Sequence, residues 1–569
     1  MDGEPDPNEK TSSSESSRES LSRRKFLGKL GKTAATVAGL GALGLPGLES
    51  VGEAKDIGPL TPDGRRDDAY RIRRKGALFE SRQKLPQHPT NGEEDLYPNK
   101  IANFSKGLPH NSLGEVDLAA YATLIKALKS GKPADFEAIT LGLGNKLTNP
   151  QSGLAFDMEG PDSHQLAIPP APTIASAQGG GELTELYWMA LARDVNFLDY
   201  DTDPTIAAAC TDLNKLTDFL GPNSGGSVTP DTIFRGNTAG DLVGPYISQF
   251  LWLNVPLGAL SIPQLIYTVP AGTDYLTDFS SWLQVQNGFK PGAYNLDSTP
   301  RYVSNLRDMA EWVHMDALYQ AYLTACVILL GINATATSRN PFPTTAPLDA
   351  GNPYLHSATQ SGFGTFGVPH ILTLVTEAAT RALKAVWYQK WFVHRRLRPE
   401  AFGGLVQNVM TAAATYPVNG ELIGSDAVAQ TFNANGTYLL PQAFPEGCPT
   451  HPSYGQGHGT VAGACVTILK AWFDESFIIP NPVVPSADGT TLNAYSGPAL
   501  TVGNELNKVA ANIAIGRNAA GIHYRSDYWE SVKLGEQIAI DMLTESKACF
   551  NEADIGFTIT KFDGTTITI

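Results

Sequence analysis

The chain has 569 residues, 42% hydrophobic and 17% charged, enough to bury a large core in one domain or several. Its formal net charge of -15 excludes a protein whose main task is gripping nucleic acid or anionic lipid, since both demand surplus Lys and Arg. An anion site in such a chain must be a local gathering of basic side chains.

Residues 1–20 are rich in Ser, Glu and Asp, as a solvated leader would be. SRRKFLGKL (Ser22 to Leu30) follows, then a mildly apolar stretch from Ala34 to Leu48. Paired arginines ahead of a short, weakly hydrophobic segment resemble a twin-arginine export signal, with cleavage expected after Ala54. The apolar stretch is too short to span a bilayer permanently. Residues 1–54 carry eight acidic and seven basic groups, so their removal changes the charge from -15 to -14. The mature protein is expected in the periplasm or outside the cell. Five cysteines lie scattered without a CxxC pair, leaving at least one unpaired within the chain. Cys326 and Cys465 fall in apolar helical patterns and read as small core residues.

Residues 55–115 are polar and Pro-rich and read as an extended arm. From 116 the pattern turns helical. VDLAAYATLIKALKSG (116–131) spaces its apolar residues for a helix that stops at Gly131. GGGELTELYWMALARDVNFLDY (179–200) reads as a glycine-rich turn feeding an amphipathic helix. Segments 309–332 and 375–396 read as long helices; Gln320 and Thr324 mark Ala317 to Ile332 as core helix and not a membrane span. Long Gly-, Pro- and Asn-rich loops at 333–370 and 415–452 are of the kind that cover sites or interfaces. FTITKFDGTTITI (557–569) alternates around Asp563-Gly564, a hairpin signal. The expected architecture is all-α, helical bundles over 116–569 with a short C-terminal β-hairpin.

Three segments hold groups suited to one anion. In KWFVHRRLRPEAFGG (390–404), Lys390 and Arg398 are eight apart and lean to one side if the helix persists to Pro399. A solvated basic helix end explains that segment equally well. In HPSYGQGHG (451–459), a glycine-rich turn opens a helix, pointing free N–H groups ahead of it with His458 at the mouth. In GRNAAGIHYRSDYWES (516–531), Arg517 and His523 stand about 120° apart on an ideal helix, with Gly516 and Gly521 allowing a break. His523 and Asp527 follow at i, i+4, where a carboxylate can fix the imidazole tautomer.

In this order, K-x7-R-P, P-S-x-x-x-G-H and R-x5-H-x3-D resemble the signature shared by vanadium-dependent haloperoxidases and their acid phosphatase relatives. ELYWMALARDV (185–195), FRGNTAGDLVGPYISQFL (234–251) and EGCPTHPSYGQGHG resemble the bromoperoxidase branch of red algae and bacteria. That resemblance implies vanadate held by Lys390, Arg398, Arg517 and the N–H of Gly457, with His523 as axial ligand of vanadium. It implies His458 as the acid–base residue for hydrogen peroxide, Lys390 as polariser of the activated oxidant, and Asp527 behind His523. Gln456 stands where family members usually carry Ser; it either offers its amide to the oxyanion or points away and removes that donor. His451 matches a position where bromoperoxidases carry histidine, with Trp387 nearby, so bromide and iodide are favoured over chloride. The implied reaction turns halide and peroxide into hypohalous acid, which halogenates small organic nucleophiles. Homo-oligomers, dimeric or larger, are implied as well, and structural calcium stays open.

Phosphate and vanadate are near-isosteric, so an acid phosphatase with His523 as nucleophile is the rival the site residues leave open. A non-catalytic exported protein with a decayed site is another, resting on Gln456 alone. A zinc hydrolase fits less: no HExxH is present, and Lys and Arg beside the histidines suit an anion.

Overall fold

The computed structural model describes residues 61–333 and 345–569. The leader with its twin arginines lies outside the described residues. The chain divides into a unit ending at Arg71 and a unit of residues 72–569. Helix α1 (Pro62–Glu80) occupies part of the stretch expected to be extended, and it buries none of its residues. Its charged sequence RRDDAYRIRRK forms helix through local propensity and i, i+3 pairs such as Arg66 with Asp63 at 3.1 Å.

The core of the second unit is built from helices, in chain order α2 (Leu118–Ser130), α3 (Ala177–Leu191), α4 (Leu306–Trp312), α5 (Gln320–Gly331), α6 (Val368–Tyr388), α7 (Pro399–Met410), α8 (Gly457–Trp472), α9 (Val502–Ala519) and α10 (Arg525–Ser546), with shorter helices between. Helix α2 behaves as its sequence says. Asp117 caps the N-terminus by accepting from the Ala120 N–H at 2.8 Å, and Gly131 closes it at φ 63°. Antiparallel pairs Val255–Leu257 with Leu260–Ile262 and Val483–Pro485 with Leu492–Ala494 are minor. The expected C-terminal hairpin is present, Thr558–Thr560 against Thr566–Thr568 with Ile559 opposite Ile567.

Helix α8 is the central element, packed against α6, α9 and α10. After Gly459 it reads as amphipathic, yet apart from His458 its residues are buried on every side. A helix buried all round belongs in the middle of a large core. Val461, Cys465, Ile468, Leu469 and Trp472 are each at most 3% exposed. Each large apolar side chain among them contributes about 1.5–3 kcal/mol of burial. Close approach of α8 to α10 depends on two glycines. A β-carbon on Gly463 would fall 2.0 Å from the Val532 carbonyl oxygen, and one on Gly535 2.0 Å from that of Thr460.

Three expectations are corrected. The glycines at 179–181 lie inside the first turns of α3, because β-carbons there would meet the Thr173 carbonyl, Asn419 and the Asp218 carbonyl. Segment 309–332 is two helices, since the Val313 carbonyl is taken by Arg517 at 2.6 Å and the chain turns before Gln320. Helix α6 gives way to a π-helical turn, Gln389–His394, ending at Arg395 with φ 42°. Pro399 then starts α7, so no single helix carries both Lys390 and Arg398. Among the described residues no helix is long and apolar enough to cross a membrane. All five cysteines are free, four of them buried, including Cys326 and Cys465.

Candidate active site

The π-helical turn offsets the chain so that Lys390 points inward. Its ammonium is fully buried and donates to the carbonyls of Pro452 and Ser453 at 2.8 and 2.9 Å. Those carbonyls belong to the turn that opens α8, so the first and second motifs meet here. Arg398, at the N-cap of α7, donates to the carbonyls of His451 at 2.8 Å and Ile522 at 2.8 Å. It also lies 3.0 Å from Nε2 of His523 and 2.9 Å from Nδ1 of His451. Arg398 thereby joins all three motifs. Arg517, in the last turn of α9, donates to the Val313 carbonyl, and its Nε is buried with no protein partner.

Among the described residues no carboxylate lies within ion-pair distance of Lys390, Arg398 or Arg517. The consequence appears in their titration. Burial, and then the charges of Arg398 and Arg517, push the Lys390 ammonium well below its usual value. Burial likewise lowers Arg398, and lowers Arg517 to about 10. Three dry cations held side by side are costly unless an anion joins them. Such a set is the converse of a cation site, and among the described residues no cluster of three or more His, Cys, Asp or Glu side chains gathers to hold a metal cation.

After α9 ends, Gly521 takes φ 82° and the chain turns so that His523 lies ahead of α10. The expected break between Arg517 and His523 is therefore present. His523 precedes the helix yet reaches Asp527: Nδ1 is 2.7 Å from Oδ2. Asp527 also takes the Ser453 hydroxyl, the Tyr524 N–H and Arg396 at 2.8 Å. This fixes the proton on Nδ1 and leaves the Nε2 lone pair towards Arg398. Burial and the charges of Arg398 and Lys390 keep the His523 imidazole well below its ordinary value, hence neutral.

His458 occupies the first turn of α8, where the first N–H groups, including that of Gly457, have no intrahelical partner. Nε2 of His458 faces Oδ1 of Asp316 at 3.0 Å. Burial lowers this imidazole and Asp316 opposes the shift only partly. With Nε2 committed to Asp316, Nδ1 is the nitrogen at which a neutral His458 can accept a proton. His451 stacks at a tilt on Trp387, ring centroids 4.6 Å apart, and Trp387 donates to the Thr148 carbonyl at 3.1 Å. Burial with Arg398 and Lys390 hold His451 well below its ordinary value.

Gln456 is placed differently from the donor role. Its amide donates to the Ala514 carbonyl on α9 at 2.9 Å and its Oε1 has no partner. The side chain is too long to cap α8 and instead ties the turn to α9. Two functional groups escaped the sequence. Asp316 lies in the break between α4 and α5, a stretch that reads as continuous helix. Arg396, within the basic stretch 390–404, is the cation that fixes Asp527 and Glu182.

A helical core enclosing a set of cations without carboxylate partners among the described residues, three histidines lowered by burial and an open helix N-terminus defines an oxyanion-binding bundle protein. Residues 370–552 match the model of the VCPO second helical-bundle domain, a span that contains Lys390 through Asp527. Vanadium-dependent bromoperoxidase of Corallina officinalis is 38% identical over 84% of this chain and 94% of its own. That of Ascophyllum nodosum is 36% identical over 87% and 90%. Among solved structures, a homohexameric second vanadate-dependent bromoperoxidase from Ascophyllum nodosum superposes with a TM-score of 0.83 at 28% identity, covering 94% of this chain and 95% of that one. The chain belongs to the vanadium-dependent bromoperoxidases.

Proposed function

We propose that this protein oxidises bromide with hydrogen peroxide to hypobromous acid, with vanadate as its resident group. The observation that carries the reading is the trio Lys390, Arg398 and Arg517, buried together and, among the described residues, with no carboxylate partner and one guanidinium nitrogen unsatisfied. These residues fit a tetrahedral oxyanion. Lys390, Arg398 and Arg517 would hold its charged oxygens, the Gly457 N–H would add a donor, and His523 would ligate through the Nε2 lone pair that now faces Arg398. When bound, vanadate supplies a Lewis-acid centre that activates peroxide towards halide.

The chain's own groups do the rest. His458 takes a proton from incoming peroxide at Nδ1 while Asp316 holds Nε2, which orients the ring and steadies the cation that forms. Asp527 keeps His523 in the ligating tautomer, and Arg396 holds the Asp527 carboxylate in place through a 2.8 Å hydrogen bond. Lys390, as a buried cation, would stabilise negative charge on the oxygens of the bound group. His451, held by Arg398 and tilted against Trp387, favours bromide over chloride in this reading. Hypobromous acid then halogenates small organic nucleophiles.

Export through the twin-arginine-type leader and assembly into homo-oligomers complete this reading. They are supported by the Ser22 to Leu30 sequence and by the homohexameric state of the Ascophyllum structure. The phosphatase alternative is not favoured, because the relatives that match across most of the chain are bromoperoxidases. Bromination of monochlorodimedone by purified protein, with peroxide and bromide before and after added orthovanadate, tests the proposal. Vanadate-dependent turnover is expected. Phosphate-ester hydrolysis without bromination would hand the site to the phosphatase reading.

A further inference from the structure

His314 lies in the break between α4 and α5, between Val313, whose carbonyl holds Arg517, and Asp316, which holds His458. Its ring stacks on Phe444 with centroids 3.7 Å apart and planes 12° from parallel. The Arg517 guanidinium carbon lies 5.8 Å from the centroid of the same Phe444 ring. Phe444 is 1% exposed, so it is a fixed plate between a histidine and a cation of the cradle.

The surroundings of His314 are ionisable on every side. Nε2 is 2.7 Å from Oε1 of Glu446, and Nδ1 is 2.8 Å from the Tyr294 hydroxyl. Tyr294 in turn donates to Glu311 at 2.7 Å, and Glu311 itself lies 3.8 Å from His314. Tyr275 packs on Tyr294, and Lys106 donates to the Glu446 carbonyl at 2.7 Å. Asp316 follows on the same segment, and Arg517 lies across Phe444. Protonated, His314 donates from both nitrogens to acceptors already in place. Glu446 is half-exposed, so solvent reaches this cluster from outside the cradle.

We propose that His314 is a positioning residue for the anion cradle: through Phe444 it fixes the Arg517 guanidinium, and its protonation strengthens the hold of the cradle on an oxyanion. The inference rests on the proposed function, in which Arg517 binds vanadate. Two effects follow from one stack. The Phe444 plate restrains Arg517 at any pH. The charge on His314 adds to the potential of the cradle only while the imidazole is protonated. Burial alone would lower His314, but hydrogen bonds and charge from Glu311 and Glu446 outweigh it and raise the imidazole above its ordinary value. The extra anion affinity is therefore present at low pH and lost as pH rises through that raised value.

The test is the dissociation constant of orthovanadate from vanadate-free protein, by equilibrium dialysis across pH 5.5–9, for wild type, His314→Phe and Glu446→Gln. Taking the ratio to wild type at each pH cancels the ionisation of vanadate itself. His314→Phe keeps a flat ring on Phe444 and removes the charge. We expect it to bind on the order of fivefold more weakly at low pH and equally at high pH. Glu446→Gln should move the crossover to lower pH, a readout that loss of packing would not give. Phe444→Leu should weaken binding at every pH, and Phe444→Tyr should restore it. A His314→Phe ratio that does not change with pH, or a crossover unmoved by Glu446→Gln, would overturn this inference while wild-type binding keeps the proposed function standing. Wild type that binds no vanadate would sink both.

Discussion

Two sets of buried cations in this molecule are built on opposite rules. Arg396 lies between Glu182 at 2.9 Å and Asp527 at 2.8 Å, Arg525 pairs with Glu185 at 2.8 Å, and Lys106 with Glu400 at 2.8 Å. Arg193 and Arg307 likewise meet Asp274 and Asp194. Lys390, Arg398 and Arg517, equally buried and in the same core, have as hydrogen-bond partners among the described residues carbonyls and histidines. The first set is neutralised by the chain, and the charges of its partners raise Arg396 and Arg525. The second set is lowered, by burial first and, for Lys390 and Arg517, by neighbouring cations as well. The difference teaches that the second set is made for a counter-charge from outside the chain, and that its position is kept by the first.

The sharpest way to break this comparison is to remove one cation from each set with a side chain of similar volume. Arg396→Met leaves Glu182 and Asp527 buried and unpaired, so it should destabilise the protein by about 3–5 kcal/mol in chemical denaturation. Lys390→Met, by contrast, should leave the vanadate-free protein as stable as wild type or more so, because a self-repelling charge is removed. Equal losses in both variants would erase the distinction between the sets.

Next in size is anion binding. Lys390→Met and Arg398→Met should each weaken orthovanadate binding on the order of 10- to 100-fold, the worth of a charge-assisted hydrogen bond. Arg525→Met, where the variant folds, should leave that affinity within a few-fold, and dialysis against vanadate checks all three. Smaller again is the acid limb of stability. Burial lowers the imidazole of His110 to about 4 and that of His394 to about 3. Their contributions are complete above the unfolded value near 6.5 and fall away as pH drops through the window down to those lowered values. Each should steepen acid destabilisation by at most about 1.4 kcal/mol per pH unit within its window. His394→Phe should flatten that limb in denaturation series between pH 6.5 and 4. The smallest expected effect is proton uptake. An arriving oxyanion relieves the depression of Lys390, so binding should take up a fraction of a proton in wild type and less in Lys390→Met. Calorimetry in two buffers of different ionisation heat reads the difference.

The chemistry of the cradle was legible in sequence because each motif carries its own backbone logic. Glycines open a helix at 457, a glycine breaks the chain at 521, and a carboxylate four residues beyond His523 accepts a hydrogen bond from its Nδ1–H. What the sequence hid are pairings between distant segments. Asp316 reaches His458 across 142 positions from a stretch whose apolar spacing reads as unbroken helix. Nothing local marks the Val313 carbonyl as spoken for by Arg517. The direction of Gln456 was undecidable in the same way, since only the packing of α8 on α9 puts the Ala514 carbonyl within its reach. The glycines at 179–181 looked like a turn because the pattern cannot show what presses on them. Helical class and the C-terminal hairpin were legible, being set by local periodicity and turn chemistry.

The central claim is that the unpaired trio awaits one oxyanion and that catalysis needs it. Titrating vanadate-free protein with orthovanadate, while following bound vanadate and bromination rate in the same samples, tests this most directly. The account predicts that both rise together and saturate at one vanadate per chain, and that Arg398→Met shifts both to higher concentration. Bromination that is complete without vanadate, or vanadate binding that Arg398→Met leaves unchanged, would contradict it.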